Sequence, residues 1–326
     1  RSYGREIKIN FVPQIIKTVK AMMWFNKSVA SILPHMPKNL VWIFSKRYIA
    51  GRTIEDAVRV SKQLNADGYM VTIDLLGEFI TDLKEAEKNR NQYLNIIDTI
   101  QKNEIDGNYS LKPSMFGLLL DEEACYRNIR QIVQKAVDYG NFVRVDMEDS
   151  QCVDMEIKLF RRLKKEFSKN VGLVLQAYMR RTLNDIKHLS DLHSEENPLN
   201  FRLCKGIYVE PEAIAYKKYE EVNTHYLEDL EYILKNGIYP GIATHDIPLI
   251  EGAYKLLEKY KVPKDKYEFQ MLYGVTPGLR KSILNKGHRL RVYVPFGENW
   301  FPYSTRRLKE NPKVASDIMK AMFVRG

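Results

Sequence analysis

The chain has 326 residues, 44% hydrophobic and 28% charged, a balance that excludes a disordered chain and suffices for a large core. Its 51 Lys and Arg against 41 Asp and Glu give a formal charge of +10, yet the basic residues are interspersed with acidic ones, which argues against nucleic acid as a partner. Cys125, Cys152 and Cys204 show no CxxC spacing, which argues against a disulfide framework or a zinc site and fits a reducing, cytoplasmic setting.

The elements follow in chain order. Residues 15–33 are the most apolar N-terminal stretch, but Lys17, Lys20 and Lys27 interrupt it, so it cannot span a bilayer, and it lacks the order of a signal peptide. The chain starts at Arg1 rather than Met, which leaves a lost leader open. Residues 1–68 read as a helical arm built from 13–33, a short aromatic-rich piece at 39–49, and 53–64. Thr53 is an N-cap with Asp56 three residues on, and Ala57, Val58, Val60 and Leu64 form the apolar face before Asn65-Ala-Asp-Gly68 stops the helix.

From residue 69 a second pattern repeats eight times. Apolar runs at 69–76, 109–112, 142–147, 171–177, 201–205, 241–244, 267–272 and 291–295 alternate with helical stretches such as 84–101, 122–139, 153–167, 211–236 and 247–260. Strands alternating with helices imply parallel pairing through right-handed crossovers. Eight units in about 250 residues point to an α/β fold, a TIM-like (β/α)8 barrel over 69–326, with an open sheet of fewer strands as the alternative.

Barrel chemistry lies at the C-terminal ends of the strands. Those ends carry Lys112, Asp146 with Glu148, Gln176, Lys205 after Arg202, Thr244-His245-Asp246, and Glu268 with Gln270. One buried charge is ordinarily an internal ion pair, but polar tips on most strands indicate a lined pocket. The cationic, amide-rich set suits an anionic or heteroatom-rich ligand. No HxH or HExxH accompanies the carboxylates, so no metal is expected; GxSxG, GxGxxG and P-loop motifs are also absent. After the last strand, Tyr303, Arg306, Arg307 and Glu310 fall at i, i+3, i+4 and i+7 and share a helix face. Such a face is commonly just solvated, but adjacent guanidinium groups following the eighth strand offer bidentate recognition of a carboxylate.

Several ordered segments carry a resemblance: Phe142-Val-Arg-Val-Asp-Met-Glu-Asp149, Val174-Leu-Gln-Ala-Tyr178, Arg202-Leu-Cys-Lys-Gly206 with Tyr208, Ala243-Thr-His-Asp246, Glu268-Phe-Gln-Met-Leu-Tyr-Gly274, and Tyr293-Val-Pro-Phe-Gly297 followed by Trp300, Tyr303, Arg306, Arg307 and Glu310. Together they resemble the proline dehydrogenase family over roughly residues 70–312, in its single-function bacterial form. The resemblance implies FAD as cofactor, L-proline as substrate and Δ1-pyrroline-5-carboxylate as product, with a C-terminal helix over the active site. By analogy, Lys112, Arg306 and Arg307 hold the substrate carboxylate, while Tyr293, Tyr303 and Leu272 wall the ring. Asp146 and Glu310 orient the arginines and tyrosine. Arg202 approaches the flavin N5 region and Gln176 its pyrimidine edge; Arg144, Lys205, Gly206, Tyr208, Thr244, His245 and Glu268 complete the cofactor set. No residue is assigned as acid or base.

Relatives pass electrons to a membrane quinone, so the basic arm is a candidate for peripheral contact with the inner face of the cell membrane. Ile207 stands where the family often has Ala, and Tyr293 predicts proline over trans-4-hydroxyproline. The alternatives are a flavin oxidoreductase of another cyclic amino acid, and a non-catalytic barrel that binds an anionic metabolite.

Overall fold

The computed structural model describes residues 38–77 and 79–310; the side chains of Leu40, Phe44, Leu308, Lys309 and Glu310 lie outside the described residues, as does the expected helix over 13–33. Eight parallel strands close into a barrel in chain order: β1 Met70–Leu75, β2 Gly107–Leu111, β3 Val143–Val145, β4 Val171–Gln176, β5 Asn200–Cys204, β6 Tyr239–Ala243, β7 Glu268–Leu272 and β8 Leu290–Phe296. Closure is completed by β8 on β1, with Val71 opposite Val292 and Asp74 opposite Pro295. The closed order decides between the barrel and the open sheet.

The strands are read by a period of two. Val71, Ile73, Tyr109, Leu111, Val143, Val145, Leu173, Phe201, Leu203, Ile242, Phe269, Val292 and Val294 are fully buried and belong to the apolar core. Many of the alternate residues are polar and meet one another between neighbouring strands, as where Thr72 Oγ1 donates to its register partner Asn108 Oδ1 at 2.6 Å. A barrel interior is commonly filled by branched apolar side chains. Here the core lies between sheet and helices, and the interior is left to hydrogen bonds and charge.

Two compact units divide the chain, one running Tyr48–Trp300. The expected arm over 1–68 spans that boundary. Within the larger unit, α2 (Ile54–Ala66) starts at the expected capping box: Thr53 Oγ1 accepts from the Asp56 N–H and the Asp56 carboxylate accepts from the Thr53 N–H, both at 3.4 Å. Asn65 at its end ties two strand entries together, donating to Tyr69 O at 2.8 Å and accepting from Asp106 N at 2.9 Å. The crossover helices are α3 Leu83–Lys102, α4 Glu122–Asp138, α5 Val153–Phe167, α6 Thr182–Leu189, α7 Tyr219–Lys235, α8 Ile247–Lys259 and α9 Pro277–Asn285. The other unit contains, among the described residues, α1 (Lys38–Ser45) and α10 (Trp300–Glu310) from residue 301 on. In it Arg307 lies 5.6 Å from the Tyr303 ring centre. Among the described residues no helix is long and apolar enough to cross a membrane.

One expected helix is shorter than its pattern. The 211–236 stretch becomes helical only at Tyr219. Before it, Tyr216 N–H donates to Tyr178 O at 2.7 Å and Ala215 bridges Met179, so pairing with the loop after β4 overrides local propensity.

α7 also buries an acid. Asp229 is 2% exposed, its Oδ2 has no hydrogen-bond partner, and burial, with Glu228 nearby, pushes its carboxyl up to about 8. A raised carboxyl contributes stability below its ordinary value near 3.8, and that contribution is lost as pH rises through the folded value. Asp229→Leu should therefore raise stability by about 1–3 kcal/mol at pH 8 and by much less at pH 4. Thermal melts at the two pH values check this; an equal effect at both would refute the account.

Candidate active site

Asp146 follows the last residue of β3 and is the hub of the polar interior. Its Oδ1 accepts from Ser110 Oγ at 2.5 Å and from Arg202 Nη1 at 3.0 Å. Its Oδ2 accepts from the Tyr293 hydroxyl at 3.1 Å and lies 3.8 Å from Lys112 Nζ. Arg202 is braced further by Gln270 Oε1, 2.5 Å from its Nε, and by the Tyr293 ring, 5.2 Å away. Lys112 is drawn to Asp74, 3.2 Å from Oδ1 and 3.5 Å from Oδ2.

Exposure shows which side is open. Lys112 and Asp146 keep 18% and 13% side-chain exposure, whereas Asp74 keeps 1%. Tyr293 and Leu272, register partners on β8 and β7, are likewise only partly buried. The network therefore opens at the C-terminal strand ends and closes toward Asp74, Ser110 and Gln270. Burial and then the Asp146 and Asp74 carboxylates push the Tyr293 phenol well above its ordinary value, so it stays a neutral donor. Burial opposes the Lys112 charge, but Asp74, Asp146 and Glu148 together outweigh it and raise its pKa. A held cation, a neutral phenol and an apolar contact can receive a small carboxylate with an apolar ring.

Around this mouth lie most of the expected cofactor residues. Gln176 at the tip of β4 donates from Nε2 to Glu148 O at 2.8 Å. Glu148 in turn accepts from Ser114 N at 2.9 Å and Ser114 Oγ at 2.6 Å, fixing the turn after Lys112. Lys205 is paired with Asp246, which also accepts from the Tyr219 hydroxyl at 2.9 Å. His245 Nε2 accepts the Leu272 N–H at 2.9 Å, so the imidazole braces the end of β7. Thr244 Oγ1 accepts from Asp246 N at 3.1 Å. Gly206 has φ +107°, and a Cβ there would stand 2.1 Å from the Tyr178 ring, which explains glycine beside half-buried Tyr208.

Two expected cofactor residues are not brought to this end. Arg144 donates to Asn200 O at 3.0 Å and Asn200 Oδ1 at 2.7 Å, at the first residue of β5. Glu268 opens β7 and accepts from Arg291 Nε at 2.7 Å. For these two residues the structure shows the ordinary alternative, internal partners near the N-terminal end of the barrel. Tyr303, Arg306 and Arg307 lie on α10 as the spacing requires, and the Glu310 side chain lies outside the described residues. Asp74, Ser110 and Arg291 join these networks without lying at the strand ends that mark the other polar residues. The signal for Asp74 was present, a carboxylate inside an apolar run.

A closed parallel barrel with a polar network opening at its C-terminal strand ends defines a (β/α)8-barrel enzyme. Residues 57–320 match the family model described as proline dehydrogenase. Proline dehydrogenase 1 of Bacillus subtilis subsp. natto is 37% identical over 278 residues, covering 85% of this chain and 90% of that protein. Proline dehydrogenase of Deinococcus radiodurans is 35% identical over 291 residues, covering 88% and 92%. Among solved structures, proline utilization A (PutA) from Bdellovibrio bacteriovorus, inactivated by N-propargylglycine, superposes with a TM-score of 0.80 at 26% identity. That match covers 90% of this chain but 37% of the other. The chain belongs to the proline dehydrogenase family and is similar to its single-function bacterial members. It is an oxidoreductase of proline catabolism.

Proposed function

We propose that the chain oxidises L-proline to Δ1-pyrroline-5-carboxylate with FAD as cofactor and a membrane quinone as final acceptor. The observation that carries this reading is the Asp146 hub, which gathers Lys112, Arg202 and Tyr293 at the open end of the barrel. The residues present fit a flavin. Arg202 within β5 and Lys205 just beyond its end supply cations, and Gln176 at the tip of the neighbouring β4 an amide. Lys205, Gly206, Tyr208, Thr244 and His245 would hold the remainder of the cofactor. Held there, a flavin would supply the hydride acceptor for the substrate carbon beside the amine.

The protein's own task is placement. Lys112 would grip the proline carboxylate, joined by Arg306 and Arg307 on the strength of the family motif. Tyr293 and Leu272 would wall the ring, as would Tyr303 by the same motif. A site whose cations await a carboxylate rejects analogues without one, because the buried charges would go unpaired. The bulk of Tyr293 favours proline over trans-4-hydroxyproline. Anionic lipid would attract the basic segment around Lys17, Lys20 and Lys27 and bring the enzyme to its quinone.

An absorbance spectrum of the purified protein, before and after anaerobic L-proline, tests this reading. Flavin bands should bleach with proline, more efficiently than with trans-4-hydroxyproline, and return when quinone in anionic vesicles is added. Bands that stay oxidised with proline would move the substrate to another cyclic amine. A colourless protein that FAD cannot reconstitute would remove the flavin and leave a metabolite-binding barrel.

A further inference from the structure

Asp74 has no place in the reading above, yet it is a buried carboxylate paired with Lys112. We propose that Asp74 is a positioning residue: it fixes the place and the charge of Lys112, and so governs how tightly the substrate carboxylate is held. This inference rests on the reading that Lys112 meets that carboxylate.

Asp74 lies on β1 between fully buried Ile73 and nearly buried Leu75, opposite Ser110 in the register. A carboxylate in such a place costs several kcal/mol unless a cation answers it. The answering cation is Lys112, two residues beyond Ser110, whose ammonium is within 3.5 Å of both Asp74 oxygens. Lysine is a point charge on a flexible four-carbon stem, so its position is whatever its anchors make it. With Asp74 neutral, the remaining pull is Asp146 at 3.8 Å, whose oxygens already serve Arg202, Ser110 and Tyr293.

The groups facing Lys112 are Asp74 from β1 and Asp146 and Glu148 after β3; Tyr293 from β8 and Arg202 from β5 meet the same Asp146. Burial by itself lowers the pKa of the ammonium, and Asp74 is the largest of the charges opposing that. Loss of the Asp74 charge should therefore both misplace Lys112 and let it deprotonate at a lower pH.

The test is calorimetric binding of tetrahydrofuran-2-carboxylate, which carries oxygen in place of the proline amine, to the holoenzyme from pH 6 to 9. Asp74→Asn should weaken binding on the order of tenfold at pH 7, and more as the pH rises. Its KM for proline should increase more than its kcat falls. Asp74→Glu keeps the charge but moves it by one methylene, so it should weaken binding equally at every pH. Wild-type affinity with a flat profile in Asp74→Asn, alongside weakened binding in Lys112→Met, overturns the role of Asp74 and leaves the carboxylate grip standing. Wild-type affinity in Lys112→Met overturns the grip itself. Should Asp74→Asn fail to fold, unchanged affinity in Asp74→Glu overturns the positional role.

Discussion

Asp146→Ala should abolish most turnover while leaving the barrel folded. One carboxylate holds Arg202 and Ser110 on one oxygen and Tyr293 and Lys112 on the other. Its removal takes the carboxylate from Arg202 and the acceptor from Tyr293 and weakens the hold on Lys112, which Asp74 keeps at 3.2 Å. A displacement near 1 Å at a reacting centre costs on the order of a hundredfold in rate. We expect kcat/KM for proline to fall at least that far. Arg202, buried and left without its carboxylate, should also lower stability by roughly 3 kcal/mol. Asp146→Asn separates shape from charge, because an amide oxygen can still accept from Tyr293 and Ser110 but no longer balances Lys112 and Arg202. Steady-state kinetics and denaturant unfolding of both variants check this. Near-wild-type turnover in Asp146→Ala would mean that the network only fills the barrel.

The fold was legible because one face of each strand is apolar. Runs such as 171–177 and 267–272 have the length and spacing that parallel strands require, and their bounds differ from the observed ones by a residue or two. The start of α7 was not legible, since the pairing of Ala215 with Met179 joins segments far apart in sequence. The site was legible where a polar residue ends a strand, as for Lys112, Asp146, Gln176 and Lys205. It was not legible where height along the barrel matters. Arg144 and Glu268 alternate correctly into the interior, but an alternation pattern does not tell the entry end of a strand from its exit. Asp74 shows the converse failure: its run reads as apolar, and only closure of β1 against β8 and β2 brings it under Lys112.

The entry end of the barrel has its own electrostatic account, and the second large effect is expected there. Glu268 accepts from Arg291 Nε at 2.7 Å and Nη2 at 3.1 Å, from Gln270 Nε2 at 2.6 Å and from the Tyr239 hydroxyl at 3.2 Å. Burial would raise its carboxyl, but Arg291, Arg144 and these hydrogen bonds prevail and bring it down to about 2. Arg144 itself is pushed down to about 9, by burial and then by Arg202 and Arg291, and so stays charged at neutral pH. A carboxyl held below its ordinary value of 4.5 contributes stability that is present above that value and lost as pH falls toward the folded one. Glu268→Gln should therefore cost about 3 kcal/mol at pH 7, a drop of roughly 10 °C in Tm for a unit of this size. The gap from wild type should close progressively between pH 5 and pH 2.5, because the native carboxylate is then being protonated as well. Replacing both partners, Glu268→Met with Arg291→Met, should recover much of the loss, since the cost of the single change lies in the stranded cation. A gap that stays constant with pH, or a double variant no better than the single one, would show that the pair acts through packing rather than charge.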